Sequence, residues 1–373
     1  MNQRNLLVLL SGVLLGACVA PESTPPAAPT AATARAGETL AVLERVADWQ
    51  LAHPAKYVRD GWVQAAGYTG MMALAEISSS PRFHDAMMKM GADNQWKTGP
   101  RVYHADDHCV SQTYLALYAQ HHDPAMLAPT VARFDQILAN PTPSGKEFNS
   151  SLRVIHYWWC DALFMAPAAW LRAWQATGKQ AYLDFAVEQW WKCSEFLYDK
   201  DEHLYYRDGT YFGKTEANGQ KVFWSRGNGW VIGGLVRVLD ALPANHPARA
   251  RFEQQYRAMA ARIVTLQQPD GFWHSSLLDP ASYPVKEASG TGFYCYGLLW
   301  GVNHGLLDRA TYLPAALKAW DALNGCVQAD GKLIHVQPIG ADPKKFDENS
   351  TEPYGVGAFL LAGREIHRLN GGK

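Results

Sequence analysis

Apolar residues recur at spacings of three and four along almost the whole chain, and that period constrains the fold more than any other feature. It runs through Leu40–Leu51, Val63–Ile77, Val110–Ala119, Met126–Leu138, Ala162–Trp174 and Tyr182–Leu197. It continues in Val231–Leu242, Phe252–Leu266, Phe293–Leu306, Ala315–Val327 and Val356–Leu369. A weaker, Met-rich segment at Phe83–Met90 brings the total to about twelve helices. Period-two alternation is nearly absent; only "KLIHVQ" and "HLYYRD" read as short hairpin pieces.

Turn chemistry separates the helices into pairs. "QQPDGFWHSSLLD" and "VQADGKLIHVQ" share one order: a helix ends, Asp-Gly turns the chain, and an extended aromatic or aliphatic stretch follows. "DKDEHLYYRDGTYF" resembles them, so the motif returns at intervals of roughly fifty residues. An open solenoid needs polar capping repeats, and none is evident. The pattern therefore predicts an all-α closed toroid of six hairpins, an (α/α)6 barrel, as one domain over 38–373.

The N-terminus has a different logic. Arg4, the short apolar run Leu6–Leu15 and "LGAC" ending at Cys18 read as an export signal, too short to span a bilayer. Leu, two small residues and Cys resembles a bacterial lipobox, which makes Cys18 the lipidated first residue of an exported lipoprotein, periplasmic or on the outer membrane. The Pro/Ala/Thr-rich stretch over 19–37 reads as a disordered tether. The other cysteines, Cys109, Cys160, Cys193, Cys295 and Cys326, form no Cys-x-x-Cys pair and read as small buried hydrophobes.

A net charge of −1 gives no basic face for nucleic acid, and a charged substrate would need a local cluster of charge. Such clusters stand directly before strongly apolar helices: "YHADDH" (Tyr103–His108), "HYWWCD" (His156–Asp161), "FWSRGNGW" (Phe223–Trp230), "KEASGTGF" (Lys286–Phe293) and "DENSTEPY" (Asp347–Tyr354). In a toroid these helix starts line one mouth. Asp161 lies among Tyr157, Trp158, Trp159, Phe164 and Met165, company that raises a carboxyl pKa by disfavouring its charged form. Fourteen Trp and seventeen Tyr, many of them in these loops, suit a carbohydrate cleft, where ring faces stack on sugar C–H groups. No P-loop, dinucleotide fingerprint, Gly-x-Ser-x-Gly elbow or His-Glu-x-x-His is present. The adjacent acids and histidines of "HADDH" cannot all face one ion, so neither metal nor cofactor is expected.

"ADDHCVSQTYLALY", "WWCDALFMAPAAWLRAW", "FWSRGNGWVIGGLVRVL" and "SGTGFYCYGLLWGVNHGLL" resemble the unsaturated rhamnogalacturonyl hydrolases, glycoside hydrolase family 105. More distantly, they resemble the unsaturated glucuronyl hydrolases. The resemblance spans roughly residue 40 to the end and implies an (α/α)6 barrel. It implies removal of a 4,5-unsaturated uronic acid from the non-reducing end of lyase-generated oligosaccharides. The step is protonation at C4 and addition of water at C5, not displacement at the anomeric carbon. Asp161 matches the family's general acid/base, and Asp107 its second functional aspartate, with Asp106 as the competing neighbour. Arg226 is expected to bind the uronate, with Trp224 and Trp230 as stacking walls and Trp159 and His156 as further contacts. Where some members carry a substrate-binding His after "LYY", this chain has Arg207 and Asp208, which points to another acidic glycan such as an ulvan fragment. Glu287, Glu352 and His274 lie on loops of the same side. The rival readings are a polysaccharide lyase, a sugar epimerase and a glycan-binding lipoprotein without catalysis.

Overall fold

The computed structural model describes residues 31–141 and 157–372. Cys18 and His156 lie outside the described residues, as does most of the N-terminal stretch. Its elements, in chain order, are α1 (Ala31–Ala52), α2 (Trp62–Ala75), α3 (Arg82–Asp93), α4 (Ala105–His108), α5 (Ser111–His121), α6 (Pro124–Ala139) and α7 (Ala162–Met165). Then follow α8 (Pro167–Thr177), α9 (Gln180–Leu197), β1 (Tyr198–Asp199), β2 (Leu204–Tyr205), α10 (Ser225–Ala241) and α11 (Arg249–Val264). The chain ends with α12 (Ala288–Asn303), α13 (Arg309–Asn324) and α14 (Pro353–Leu369). Helix α1 begins at Ala31 and buries Ala36, so the fold starts inside the stretch that composition assigns to a tether.

Helices α2, α5, α8, α10, α12 and α14 each pack on the next, and α14 closes on α2. Around this inner ring lie α1, α3, α6, α9, α11 and α13, each against an inner partner. That is the six-hairpin barrel. The ring closes where Gly70 of α2 meets Gly357 of α14; a Cβ on Gly70 would stand 2.5 Å from the Gly357 carbonyl oxygen. Only glycine allows two helix backbones so close. Inner helices are buried all round, as α12 illustrates from Ala288 through Val302, whereas outer helices keep a polar face.

Local chemistry sets the boundaries. Asp123 accepts from Ala125 N ahead of Pro124, and Asp308 accepts from Thr311 N, capping α6 and α13. Helix α8 runs from Pro167 to a left-handed Gly178. In the Asp-Gly turns, Gly271 (φ 91°) and Gly331 (φ 99°) take the positive dihedral and the preceding aspartates accept from Phe272 N and Lys332 N. "HLYYRD" forms a real hairpin, Tyr198 pairing Tyr205. "KLIHVQ" makes no strand; its ladder is a single bridge, Val327 to Leu333. All five described cysteines are free and buried. Among the described residues no helix is long and apolar enough to cross a membrane.

Candidate active site

Every inner helix starts on the same end of the ring, and the loops feeding those starts carry the polar residues. Asp106 and Asp107 sit on α4, Asp161 one residue before α7, and Arg226 in the first turn of α10. Glu287 and Glu352 precede α12 and α14.

Asp161 is 7% exposed and poorly paired. Its nearest partners are the Cys160 thiol at 3.5 Å and the Arg207 Nε at 3.7 Å, the latter beyond hydrogen-bond reach. Burial raises its pKa, and the charges of Arg207 and Arg226 pull the other way. Asp106 is similar: its side chain is 15% exposed, with Arg101 at 3.8 Å and His104 at 3.6 Å. Burial pushes Asp106 up to about 7, with Arg101 opposing and the negative charge of Asp161 adding to the rise. The two carboxyls lie close enough for the charge of Asp161 to raise Asp106, and burial in a site poor in hydrogen bonds pushes both toward their acid forms. His104, its ring 4.8 Å from that of Trp159, is held down to about 4 by burial and Arg101, so it stays neutral beside them.

Asp107 is occupied otherwise. It accepts from the Arg101 backbone N at 2.6 Å, from Arg101 Nη2 at 2.5 Å and from Arg101 Nε at 3.1 Å. Its own carbonyl takes the Gly99 N–H at 3.0 Å. The bidentate pair fixes the 99–107 loop. The expectation that ranked Asp107 over Asp106 therefore meets the opposite geometry: Asp106, not Asp107, is the unsaturated carboxylate coupled to Asp161.

The cations differ from expectation in the same way. Arg226 is fully buried, gives Nη1 to the Gln337 carbonyl at 2.6 Å and Nη2 to the Pro338 carbonyl at 2.9 Å, and lies between the Trp224 and Tyr354 rings. It braces the 337–338 loop and reaches Asp161 through its charge. Arg207 is the cation beside the acids: its Nη1 bonds Asp208 at 2.7 Å, its guanidinium lies 5.6 Å from the Trp158 ring, and its Nε, 3.7 Å from Asp161, makes no hydrogen bond among the described residues.

Neither tryptophan expected as a stacking wall offers a face. Trp224 is 2% exposed and donates to Gln337 Oε1; Trp230 is fully buried among Trp62, Phe164, Phe293 and Tyr354. Trp159 is buried too, bridged through its backbone to Asp208. Trp62 and Trp158 are half-buried tryptophans at the site. Glu287 caps α12, accepting from Ser289 N and Gly290 N. Glu352 takes the Tyr57 hydroxyl at 2.9 Å, and His274 pairs with Asp270 away from the acids. Among the described residues no group of three or more His, Cys, Asp or Glu is placed to hold a metal ion.

The family model "Glycosyl Hydrolase Family 88" matches residues 36–370, which is nearly all of the described fold. The chain belongs to glycosyl hydrolase family 88. It is a glycoside hydrolase by that membership. A curated relative, the "Unsaturated 3S-rhamnoglycuronyl hydrolase" of Formosa agariphila, is 38% identical over 343 residues, covering 89% of this chain and 91% of the relative. Two solved structures superpose with a TM-score of 0.81 each. A family 88 hydrolase from Bacteroides vulgatus is 32% identical, with 89% of this chain and 99% of that one covered. A protein named as a polysaccharide lyase is 33% identical, with 90% and 98% covered.

Within this family 88 site, Arg101, Trp62 and Trp158 carry no signal that separates them from bracing or core residues in the sequence. Arg101 lies outside every polar cluster quoted above, and only its contact with Asp107 gives it meaning. "HADDH" did flag His104 and Asp106; what it lacked was the direction each side chain takes on one helical turn.

Proposed function

We propose that this family 88 enzyme removes a 4,5-unsaturated uronic acid from the non-reducing end of acidic oligosaccharides. The observation that carries the reading is the Asp106–Asp161 pair, two weakly partnered carboxyls, both with raised pKa, in one aromatic-walled site. Asp161 in its acid form gives its proton to C4 of the enol ether. Positive charge develops at C5 and on the ring oxygen, and the anionic Asp106 beside it stabilises that charge. Water adds its oxygen to C5 and returns a proton to the Asp161 carboxylate, so the enzyme regains its starting state. The hemiketal so formed opens and releases the leaving sugar. Arg207, whose Nε makes no hydrogen bond, bonds the uronate carboxylate, and Arg226 adds its charge from behind the wall. The name of the Formosa agariphila relative supports the substrate class.

The structural relative named as a lyase supports a second reading, β-elimination. The two reactions move the same signal in opposite directions. A hydrolase erases the near-ultraviolet absorbance of a lyase-generated unsaturated disaccharide, and a lyase creates that absorbance from a saturated polymer. Absorbance loss that Asp161→Asn abolishes supports the hydrolase; absorbance gain from polymer, with no loss from the disaccharide, sinks it.

We also read the chain as an exported lipoprotein anchored through Cys18, supported by "LGAC" after the apolar run. The mass of the mature N-terminal peptide tests this: a diacylated Cys18 is expected, and an intact Met1 terminus refutes it.

A further inference from the structure

We infer that His84 and His121 form a site for a borderline divalent transition-metal ion of the Zn2+ class at the base of the barrel. The site lies at the opposite end of the ring from Asp106 and Asp161, and the hydrolase reading makes no use of it.

The two histidines are far apart in the sequence, and the fold joins them. His84 lies in the first turn of the outer helix α3, and His121 is the last residue of the inner helix α5. Inner helices start at the mouth, so α5 ends at the base. Helix α3 follows the base end of α2 and begins there. Packing of α3 on α5 brings His84 Nε2 to 2.8 Å from His121 Nε2, with ring centroids 4.9 Å apart and planes tilted by 48°.

At that distance two imidazole nitrogens cannot both present lone pairs, so a proton or a metal ion has to lie between them. The metal-free pair meets this with one hydrogen bond, the Nε2–H of one ring donating to the other. The surroundings suit an ion as well. His84 Nδ1 faces Asp85 Oδ1 at 3.4 Å, and the Asp85 side chain, 69% exposed, is free to close that distance. A carboxylate on that side holds the ring proton on Nδ1 and leaves the Nε2 lone pair directed at His121. That is the carboxylate–histidine–metal arrangement. His121 is exposed, and among the described residues its ring makes no hydrogen bond except the one to His84. Its proton can therefore move to Nδ1 and open Nε2 to an ion.

The spacing agrees. With metal–nitrogen bonds of about 2.0–2.1 Å and angles from about 90° to about 109°, two nitrogens on one ion stand about 2.8–3.4 Å apart. Two imidazoles, with water completing the shell on the exposed side, select Zn2+, Cu2+ or Ni2+ over Mg2+ and Ca2+. The neighbouring groups are engaged elsewhere. Arg82 is held by Asp48 and Glu44, and His122, left-handed at φ 54°, sets its ring edge-on to Tyr118. An ion on both rings staples an outer helix to the inner ring.

The test titrates the untagged full chain with ZnCl2 in a calorimeter at about pH 7.5, where both imidazoles are open to metal, with MgCl2 as the control. One equivalent of Zn2+ is expected to bind the wild type, and Mg2+ is not. His84→Ala and His121→Ala should each weaken that binding at least tenfold. Asp85→Asn should weaken it about tenfold, and His122→Ala should leave it unchanged. Zn2+ at about a hundred times its Kd should raise the wild-type melting temperature by a few degrees and leave the double variant His84→Ala/His121→Ala where it was. Zn2+ binding that persists unchanged in that double variant overturns the site. So does a wild type that takes up no Zn2+ while the histidine variants melt lower, since the pair is then a hydrogen bond only.

Discussion

The barrel buries charge at both of its ends, and the two ends treat it in opposite ways. At the base, Glu365 is fully buried, yet one oxygen accepts from Arg364 at 2.9 Å and 3.1 Å and from Arg368 at 3.3 Å, and the other from Asn303 at 2.9 Å. Arg364 continues to Glu76 at 2.8 Å, and the surrounding acids raise its already high pKa. Nothing in that network is left over. At the mouth, Asp161 and Asp106 have only marginal contacts, at 3.5 Å to 3.8 Å, and their protons are held more tightly instead. A buried charge that is saturated serves the fold, and one left short of partners is reserved for something the protein alone does not contain.

The largest test of this contrast is Asp161→Asn. Loss of the proton donor is expected to lower kcat on the order of a thousandfold, while the melting temperature stays unchanged or rises. A melting temperature that falls sharply would put Asp161 in the same class as Glu365. The base should answer in reverse. Glu365→Ala strands Arg364 and is expected to cost about 3–5 kcal/mol of stability, read by denaturant unfolding, with KM for substrate unchanged in the folded fraction.

Asp106→Asn sharpens the pH side. Asp106 gives up its proton as pH rises through about 7, supplying the anion the proposed step needs, so wild-type kcat/KM should rise through that pH, and loss of the Asp161 proton should set the basic limb. A carboxyl whose folded pKa is raised binds its proton better in the folded state. It therefore destabilises the fold progressively from about pH 4 to about pH 7. Asp106→Asn should remove that slope, raising the melting temperature more at pH 8 than at pH 5, and reduce kcat roughly a hundredfold. The smallest effect is expected from Arg207→Gln. Its charge opposes the rise at both acids, so the basic limb of the pH profile should move upward, with KM raised. A limb that moves downward would show that Arg207 does not face the pair.

The architecture is legible in the sequence because toroid helices repeat one apolar period, and six inner starts need six polar loops. The boundary at Ala31 was hidden because alanine and threonine suit a tether and a first helical turn alike. Asp161 announces itself through Trp158, Trp159 and Phe164. The choice between Asp106 and Asp107 does not, since it turns on Arg101, whose approach is a matter of loop geometry. Arg226 and Trp230 read as ligand groups because charge and aromatic area look the same whether they face a cavity or a loop carbonyl; only burial separates them.

The common orientation of the inner helices has a consequence that the net charge of −1 conceals. Each helix start carries a dipole equivalent to about half a positive charge. Six of them converging on one opening sum to roughly three, before any arginine is counted. That charge is set against Asp106, Asp107, Asp161, Glu287 and Glu352 at the same mouth, so the helix starts offset much of the repulsion those acids would otherwise present to an acidic oligosaccharide.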